Sequence, residues 1–270
     1  MGKTIVTVNL ALALTETEKR VVILDADFGN ANAHTLLGIT EVKQSIEDFF
    51  VRDANLNDLI LKTNFKNLYL ICGGMNKIDY ALYKTNGLKK QIREILADFI
   101  LLDLGAGISN EHCELYNLAD EKIMVVTPQL TSLQNAYSFA KSTFMEDLRS
   151  VREMSICLQH IDNDLFRLVQ AIKKLPSEHF LHNKFAQVLK KQKMWILANM
   201  THGEKELHTV YELKNLVKEY LEIEATILGE LGDSRDVQNS INEMIPFIMT
   251  NPQSENAKRL RKIALNLSEY

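Results

Sequence analysis

The sequence predicts an α/β fold: a doubly wound, mostly parallel sheet with helices on both faces. Short runs of continuous apolar residues recur along the 270-residue chain, and helical patterns separate most of them. Runs without polar alternation suit parallel strands that are covered on both faces, and strands that alternate with helices are typical of doubly wound sheets. The chain has only 4 prolines and no repeats, so we expect a single domain over residues 1–270.

The predicted elements follow one another in a regular order. Strands are predicted at residues 21–24, 68–71, 99–102, 123–126, 195–198 and 245–248. Helices are predicted at residues 4–15, 88–97, 110–119, 132–148, 206–220 and 255–267. A hydroxyl cap with a glutamine three residues later, in residues 131–134, predicts that the fourth helix begins near Ser132. Two further helical patterns, 163–174 and 178–191, have no strand between them and predict a helical insertion at about 151–192.

Composition excludes several classes of protein. The net charge of −4 offers no global basic field that would hold nucleic acid without sequence preference. The cysteines Cys72, Cys113 and Cys157 are isolated, which fits a reducing compartment and neither a disulfide framework nor a zinc site. No apolar run approaches the roughly 18 residues of a membrane span, and no secretion signal is recognisable. We therefore expect a cytoplasmic protein.

Charged residues stand where the predicted strands end. Asp25 and Asp27 follow the first apolar run, and Asp103 follows the third. In open α/β sheets, ligands bind beyond the carboxyl ends of the strands. The helix predicted to begin at Thr4 places Lys3 at the same edge. These residues are therefore the candidates for a binding site.

Phosphoryl transfer to water explains why such residues belong together. Gly2, Lys3 and Thr4 are the last three residues of a phosphate-binding loop, in which lysine neutralises the β- and γ-phosphates and the hydroxyl ligates Mg²⁺. Asp103 suits the metal, and Asp27 is the candidate for orienting the attacking water. The glycines Gly105 and Gly107 let the backbone approach a γ-phosphate and rearrange when it leaves. Each piece alone also suits an ordinary turn or helix cap, and only their conjunction in this order indicates a nucleotide site.

The residues resemble the MinD/ParA group of P-loop ATPases, whose deviant loop contains K-G-G-x-G-K-[ST]. The segments "GKTIVTVNLALAL", "RVVILDADFGNANAHTLLGI", "DFILLDLGAGIS", "VVTPQLTSLQNAY" and "WILANM" occur in the order of that family. Within the group, "DADFGNANAHTLLGI" is most similar to the regulators of flagellar number called FlhG. The resemblance implies the SIMIBI-type P-loop NTPase fold, with ATP and Mg²⁺ as cofactors.

The resemblance also implies a role for individual residues. Lys3 and Asp27 are implied to be catalytic, with Asp27 in switch I. Gly2, Lys3, Thr4, Asn199 and Pro128 are implied to contact the nucleotide, Asn199 at the adenine. Thr4 and Asp103 are implied to hold Mg²⁺, and a role for Asp25 through a bound water stays open. Gly29, Asn32, Gly105 and Gly107 are assigned to the switches or to the dimer interface.

The chain departs from the family pattern at its first residues. In the family a strand and the residues K-G-G precede the G-K-[ST], and that first lysine reaches the nucleotide of the partner subunit. Here Met1 stands directly before Gly2. The missing strand belongs in the middle of the sheet, so its neighbours would lose backbone partners. The hypothesis is that Met1 is an internal methionine of the loop, and reading the upstream codons tests it.

Two other patterns have competing interpretations. His179 and His182 are three residues apart on a predicted helix, but no third ligand accompanies them, and ordinary surface histidines are favoured over a metal pair. In the last helix, Ala257, Leu260, Ala264 and Leu267 form an apolar stripe beside basic residues. Packing of this helix on the sheet is favoured over contact with an anionic membrane.

The leading functional hypothesis is a cytoplasmic ATPase switch that acts in flagellar number or placement. ATP would favour a homodimer, and hydrolysis would dissolve it. The flagellar branch implies an SRP-type GTPase, flagellar switch proteins and peripheral contact with the inner face of the cell membrane as partners. One alternative is a non-catalytic scaffold that keeps the fold without turnover. Another is a chromosome or plasmid partitioning ATPase, although the net charge disfavours binding to nucleic acid.

Overall fold

The computed structural model describes residues 2–74 and 85–269. The chain divides into two compact units, which we describe separately. The first unit comprises residues 2–106 and 231–269, and the second unit comprises residues 107–230. The α/β fold class is confirmed, with parallel strands flanked by helices in both units.

The first unit is built on a four-stranded sheet in the order β2-β3-β1-β4. Its elements are α1 (Lys3–Thr15), β1 (Val21–Ala26), α2 (Ala33–Leu36), α3 (Ile46–Arg52), a 3-10 turn (Leu56–Leu59), β2 (Leu61–Lys62), β3 (Leu68–Ile71), α4 (Thr85–Glu94), β4 (Phe99–Leu104), α11 (Arg235–Glu243), α12 (Phe247–Thr250) and α13 (Glu255–Ser268). Strand β1 is parallel to both β3 and β4, whereas β2 is antiparallel to β3. Every residue of β1 is buried.

The second unit contains a three-stranded sheet in the order β5-β6-β7. Its elements are α5 (Asn110–Leu118), β5 (Ile123–Val126), α6 (Leu130–Arg149), α7 (Arg152–His160), α8 (Leu165–Lys173), α9 (Phe180–Lys190), β6 (Met194–Thr201), α10 (Glu204–Leu221) and β7 (Ala225–Gly232), whose last residues enter the first unit. Strands β5 and β6 are parallel. A single apolar cluster around Phe144 and Leu158 joins these strands to the helices.

The strands thus form two sheets where the apolar runs suggested one. Strand β4 ends the first sheet and β5 ends the second, and no strand among residues 2–74 and 85–269 pairs with both. The edge position leaves the apolar run of β4, Phe99 to Leu102, only half-buried. We expected both faces of this run to be buried. That expectation is wrong, because β4 pairs with a strand on one side only among the described residues.

Most element predictions are confirmed, and three need correction. Residues 245–248 are not a strand: Pro246 precedes the helix α12, and the Ile248 amide donates to Asn9 Oδ1 at 3.0 Å. The last strand is β7, whose apolar run is interrupted by Gly229 and Glu230. Helix α6 begins at Leu130 after Gln129, whose side chain makes no cap bond, so the hydroxyl cap predicted within residues 131–134 is wrong; the Ser132 hydroxyl instead accepts the Thr127 amide.

The predicted insertion at about 151–192 is helical but holds three helices, α7, α8 and α9. The additional one is α7, whose residues Met154 and Leu158 are buried in the apolar cluster of the second unit. His179 lies at the start of α9, where its Nδ1 accepts the Leu181 amide at 3.2 Å and its ring stacks on Phe180. His179 therefore caps a helix.

The last helix, α13, packs against α1, whereas packing on the sheet was expected. Its stripe of Ala257, Leu260, Ala264 and Leu267 is buried. Arg261, on the basic side, forms a bidentate ion pair with Glu16 of α1, with Nε to Oε2 at 2.6 Å. None of the described helices is both long enough and apolar enough to span a bilayer.

Candidate functional site

The amino end of α1 is the first part of the candidate site. Gly2 lies just before the helix with φ 74°, in the left-handed region that favours glycine, and its carbonyl accepts the Val6 amide. No side chain caps this helix, and its first turn contains no acidic residue. The first turn instead carries Lys3 and Thr4. An uncapped helix start with free amides and a lysine attracts anions such as phosphate.

Two buried carboxylates face the same edge of the first sheet. Asp25 in β1 and Asp103 in β4 are register partners, and their exposed fractions are 0% and 2%. Burial raises the pKa of Asp103 to about 6, helped by the charge of Asp25, while the nearby Thr4, Thr7 and Lys3 side chains oppose the rise. Burial also raises the pKa of Asp25, against the hydrogen bonds that it accepts. The pair therefore holds negative charge that the protein alone does not fully compensate.

Asp103 has one oxygen that the described residues leave unpaired. The Thr7 hydroxyl donates to Oδ1 at 3.1 Å. Oδ2 is buried and accepts no hydrogen bond of normal geometry from the described residues, although the Thr4 hydroxyl is close enough to lower the pKa. A buried carboxylate oxygen without a donor is costly unless a ligand completes it. Carboxylate and hydroxyl oxygens are ligands that Mg²⁺ accepts, so Thr4 and Asp103 fit the metal that the sequence predicted.

Asp25 is engaged in a different way. Its Oδ1 accepts the Asp27 amide and its Oδ2 accepts the Ala33 amide, both at 3.1 Å. The carboxylate thus fastens both ends of the segment between β1 and α2, which we call the carboxylate loop (residues 27–32). Asp25 has a structural task that its sequence position did not reveal. A role for it at the metal through a water stays a prediction.

The carboxylate loop carries Asp27, the predicted water-orienting residue. The Asp27 carbonyl accepts the Asn30 amide at 3.0 Å, which closes a turn, and Gly29 has φ 82°. The Asn32 side chain donates to the Asn30 carbonyl. Asp27 is partly exposed, and Asn32 is exposed at the end of the loop. The loop therefore presents a carboxylate on a short, internally bonded backbone.

Sequence reasoning missed two contributors to this region. Thr7 lies one helical turn after Lys3 and binds Asp103, and the spacing of residues 3 and 7 on one helix face could have indicated it. Cys72, Gly73 and Gly74 follow β3 at the same carboxyl edge as Asp25 and Asp103. Burial, and then the charge of Asp25, raises the pKa of the Cys72 thiol to about 12. The end of β3 carries no charged residue, so no sequence signal marked it.

The remaining predicted residues divide between the units. Gly105 follows β4 in the first unit, whereas Pro128 and Asn199 belong to the second unit. The Pro128 carbonyl accepts the Thr209 hydroxyl at 3.4 Å, and Asn199 lies in β6 with an exposed fraction of 9%. Gly107 is exposed and has its backbone close to the His112 ring. The nucleotide roles of Pro128 and Asn199 and the switch roles of Gly105 and Gly107 stay predictions.

Comparison with known proteins gives a consistent result. Residues 1–156 match the family model described as an AAA domain. The chain is 32% identical over 145 residues to the antiactivator FleN of Pseudomonas aeruginosa, which covers 52% of this chain and 51% of FleN. It is 34% identical over 142 residues to the septum site-determining protein MinD of Helicobacter pylori, covering 50% and 52% of the two chains. The match thus spans about half the length of these curated relatives.

The fold also resembles a solved structure over nearly its whole length. The septum site-determining protein MinD of Pyrococcus horikoshii, in complex with Mg-ADP, aligns with a TM-score of 0.67 and 22% identity. The alignment covers 98% of this chain and 90% of that one. At this identity the likeness establishes the fold alone.

Proposed function

The chain belongs to the MinD/ParA family of AAA-domain P-loop ATPases, and on that premise we propose that it is an ATP-hydrolysing dimerisation switch. The proposal names Lys3 and Asp27 as catalytic residues and ATP with Mg²⁺ as cofactors. It goes beyond family membership, because a P-loop fold can persist without turnover.

One observation carries the proposal: the unpaired, buried Oδ2 of Asp103. Asp103 is the register partner of Asp25 and lies close enough to Thr4 and Lys3 at the start of α1 for them to affect its pKa. A purely structural carboxylate at this position would be expected to have both oxygens satisfied. An anion-attracting helix start beside an incompletely bonded carboxylate suits a metal–phosphate ligand, which brings charges of both signs.

Each residue would then have one task. Lys3 neutralises negative charge on the β- and γ-phosphates, and the first amides of α1 donate to phosphate oxygens. Thr4 and Asp103 hold the metal, and bound Mg²⁺ supplies further charge neutralisation on the phosphates. Asp27 accepts a hydrogen bond from the attacking water and orients it. In the second unit, Asn199 and Pro128 would contact the adenine and its surroundings.

The switch would lie in the segments that follow β1 and β4. Gly29 and Asn32 belong to the carboxylate loop, and Gly105 and Gly107 follow Asp103. Loss of the γ-phosphate removes a partner from these segments, so their conformation can report the state of the nucleotide. We propose that ATP favours a homodimer through them and that hydrolysis dissolves it.

The cellular role that we propose is control of flagellar number or placement. It is supported by the similarity of "DADFGNANAHTLLGI" to the flagellar branch and by the match to FleN. An SRP-type GTPase, flagellar switch proteins and the inner face of the cell membrane are the partners proposed for a cytoplasmic protein of this kind. Septum placement is the competing role, since MinD of Helicobacter pylori matches equally well.

The test uses the full protein encoded by the natural gene. Equilibrium titration with a fluorescent ATP analogue, with and without Mg²⁺, measures binding, and phosphate release measures turnover. We expect Lys3→Ala to lower turnover by a factor of about 100 to 1,000, the range seen when one charge-stabilising group is removed. Asp27→Ala should lower it by a factor of about 100 and leave an ATP-bound dimer that light scattering detects.

A matched control is Asp58→Ala, which removes an exposed aspartate of the turn Leu56–Leu59 and should leave turnover unchanged. Loss of the dimer together with turnover in Asp27→Ala would contradict the role proposed for Asp27. Absence of nucleotide binding by the wild-type protein would favour the non-catalytic scaffold. Salt-sensitive, ATP-dependent binding to nonspecific DNA would support a partitioning ATPase.

A further inference from the structure

The backbone that follows β3 contacts the carboxylate loop directly. An alanine in place of Gly73 would have its Cβ 2.7 Å from Ala31 Cβ and 2.8 Å from the Asp25 carbonyl oxygen. Real Cβ atoms essentially never approach other atoms so closely, so a side chain at Gly73 must displace something. Gly73 is thus required by close approach to β1 and to the loop, and not by its own dihedral angles.

The next residue holds the loop by a hydrogen bond. The Gly74 carbonyl accepts the Gly29 amide at 3.0 Å, in the middle of the carboxylate loop. Asp25 fastens the two ends of the same loop through the amides of Asp27 and Ala33. The loop therefore has three anchor points, and Gly74 supplies the central one.

The segment 72–74 is itself held in place. The Cys72 carbonyl accepts the Ile46 amide at 2.8 Å, at the start of α3. Cys72 is fully buried, and a Cβ at Gly74 would overlap the Glu47 side chain. The glycine pair thus lies between α3 on one side and the loop on the other. It fixes the position of the loop that carries the partly exposed Asp27 relative to the buried strand β3.

We propose that Gly73 and Gly74 are positioning residues for the carboxylate loop, which they hold where Asp27 can orient the attacking water. This inference rests on the proposed ATPase function and deepens it. The role is exercised through Ala31, Asp25 and Gly29, which the two glycines contact. The expected signature is a loss of kcat without a matching change in nucleotide affinity, because Lys3 and Thr4 belong to a separate element, α1.

The decisive experiment measures kcat and KM for Mg-ATP in the full protein. Gly73→Ala should lower kcat by about 10-fold or more, since a displacement of about 1 Å can cost about 100-fold, with KM changed by less than about twofold. Ala31→Gly removes one of the two closest atoms, so Gly73→Ala combined with Ala31→Gly should recover part of kcat. Recovery is partial because the Asp25 carbonyl remains 2.8 Å away.

Two further variants separate positioning from general damage. In Gly87→Ala the nearest atom, Phe49 Cζ, lies 3.8 Å from the new Cβ, so kcat should match that of the wild type, and Tm should stay equal or rise because alanine favours the helix α4 more than glycine does. In Gly74→Ala the three atoms nearest to the new Cβ all belong to the Glu47 side chain, so its effect on kcat should be relieved by Glu47→Ala. A loss of kcat in Gly87→Ala as large as that in Gly73→Ala would overturn the proposal.

A readout that needs no turnover distinguishes failure of this inference from failure of the proposed function. Amide hydrogen exchange should show faster exchange across residues 27–33 in Gly73→Ala than in the wild type, because the bond from Gly29 to Gly74 is strained. If the wild type does not hydrolyse ATP but this difference appears, only the ATPase proposal fails. If kcat and loop exchange in Gly73→Ala both equal the wild-type values, the positioning role is wrong.

Discussion

The two units bury charge in different ways. In the second unit the buried lysine Lys122 donates through Nζ to the Lys191 carbonyl at 2.5 Å, and the charge of Asp147 opposes the lowering of its pKa by burial. In the first unit, Asp103 is equally buried but keeps Oδ2 without a donor of normal geometry. A buried charge that the protein satisfies is part of the structure. A buried charge that it leaves unsatisfied marks the place where a ligand belongs.

The same contrast separates Asp25 from Asp103 within one sheet. Both carboxylates are buried and paired in register, yet both oxygens of Asp25 accept backbone amides. Asp25 therefore stabilises a loop, whereas Oδ2 of Asp103 accepts no hydrogen bond of normal geometry from the described residues. Burial and a raised pKa alone therefore do not separate the two carboxylates, whereas their hydrogen bonds do.

The largest expected effect tests the view that the second unit is held together by its apolar core. Phe144 is fully buried and packs edge-on against Phe185, with 5.6 Å between the two ring centroids. Phe144→Ala should lower the free energy of unfolding by about 3–5 kcal/mol through lost burial and the cavity left behind. Denaturant titration measures it. Phe180→Ala, at an exposed position, is the matched control, and a similar loss there would contradict the assignment of the core.

The next effect has the opposite sign and belongs to the first unit. A carboxyl with a raised pKa favours the folded state below its unfolded pKa, near 4, and this stabilisation is lost as the pH rises through about 6. Asp103→Asn removes the buried charge, so without nucleotide it should raise the unfolding free energy at pH 8 by about 1–3 kcal/mol.

The gain in unfolding free energy of Asp103→Asn should shrink as the pH falls from 6 towards 4. The same substitution should abolish Mg²⁺-dependent nucleotide binding. Denaturant titrations at pH 4, 6 and 8 check the first point, and binding titrations check the second. Asp58→Asn, at an exposed position, is the control. A destabilised Asp103→Asn protein at pH 8 would mean that this carboxylate is structural, like Asp25.

A smaller effect concerns the Thr7 hydroxyl, which donates to Asp103. Thr7→Val removes the donor to Oδ1 and should lower the unfolding free energy at pH 8 by about 1.5 kcal/mol, the lower end of the range for hydrogen bonds to charged groups. The pKa of Asp103 should rise further, which a carboxyl-carbon NMR titration would detect. Thr7→Ser keeps the hydroxyl and should restore both quantities, so an unrepaired Thr7→Ser would assign the loss to packing of the methyl group.

The smallest effect is expected at the surface of the first unit. The bidentate pair of Arg261 with Glu16 joins α13 to α1, but Glu16 is 44% exposed. Arg261→Ala should therefore cost less than about 1 kcal/mol, and the cost should fall further in high salt. Thermal unfolding at two salt concentrations measures it. A loss as large as that of Phe144→Ala would show that this ion pair, and not burial of Leu260 and Ala264, holds α13 in place.

Much of the first unit could be predicted because its signals are local. Two such signals are the uninterrupted apolar run of β1 and the start of α1 without a side-chain cap. Each of them spans only a few consecutive residues. The acidic residues Asp25 and Asp103 follow from the rule that ligands bind at the carboxyl ends of parallel strands. Residues 245–248 were mistaken for a strand because an apolar run does not reveal whether Asn9, far away in the chain, will bind its backbone.

The sequence by itself determined the fold class, the order of most elements and the residue types available at the site, because periodicity and strand-end chemistry are properties of short segments. Only the tertiary structure decided that Asp25 fastens a loop while Asp103 keeps a free oxygen, and that Gly73 is pressed against Ala31. The physical reason is that hydrogen-bond satisfaction and close packing depend on partners distant in sequence. Neither is visible until the chain has folded.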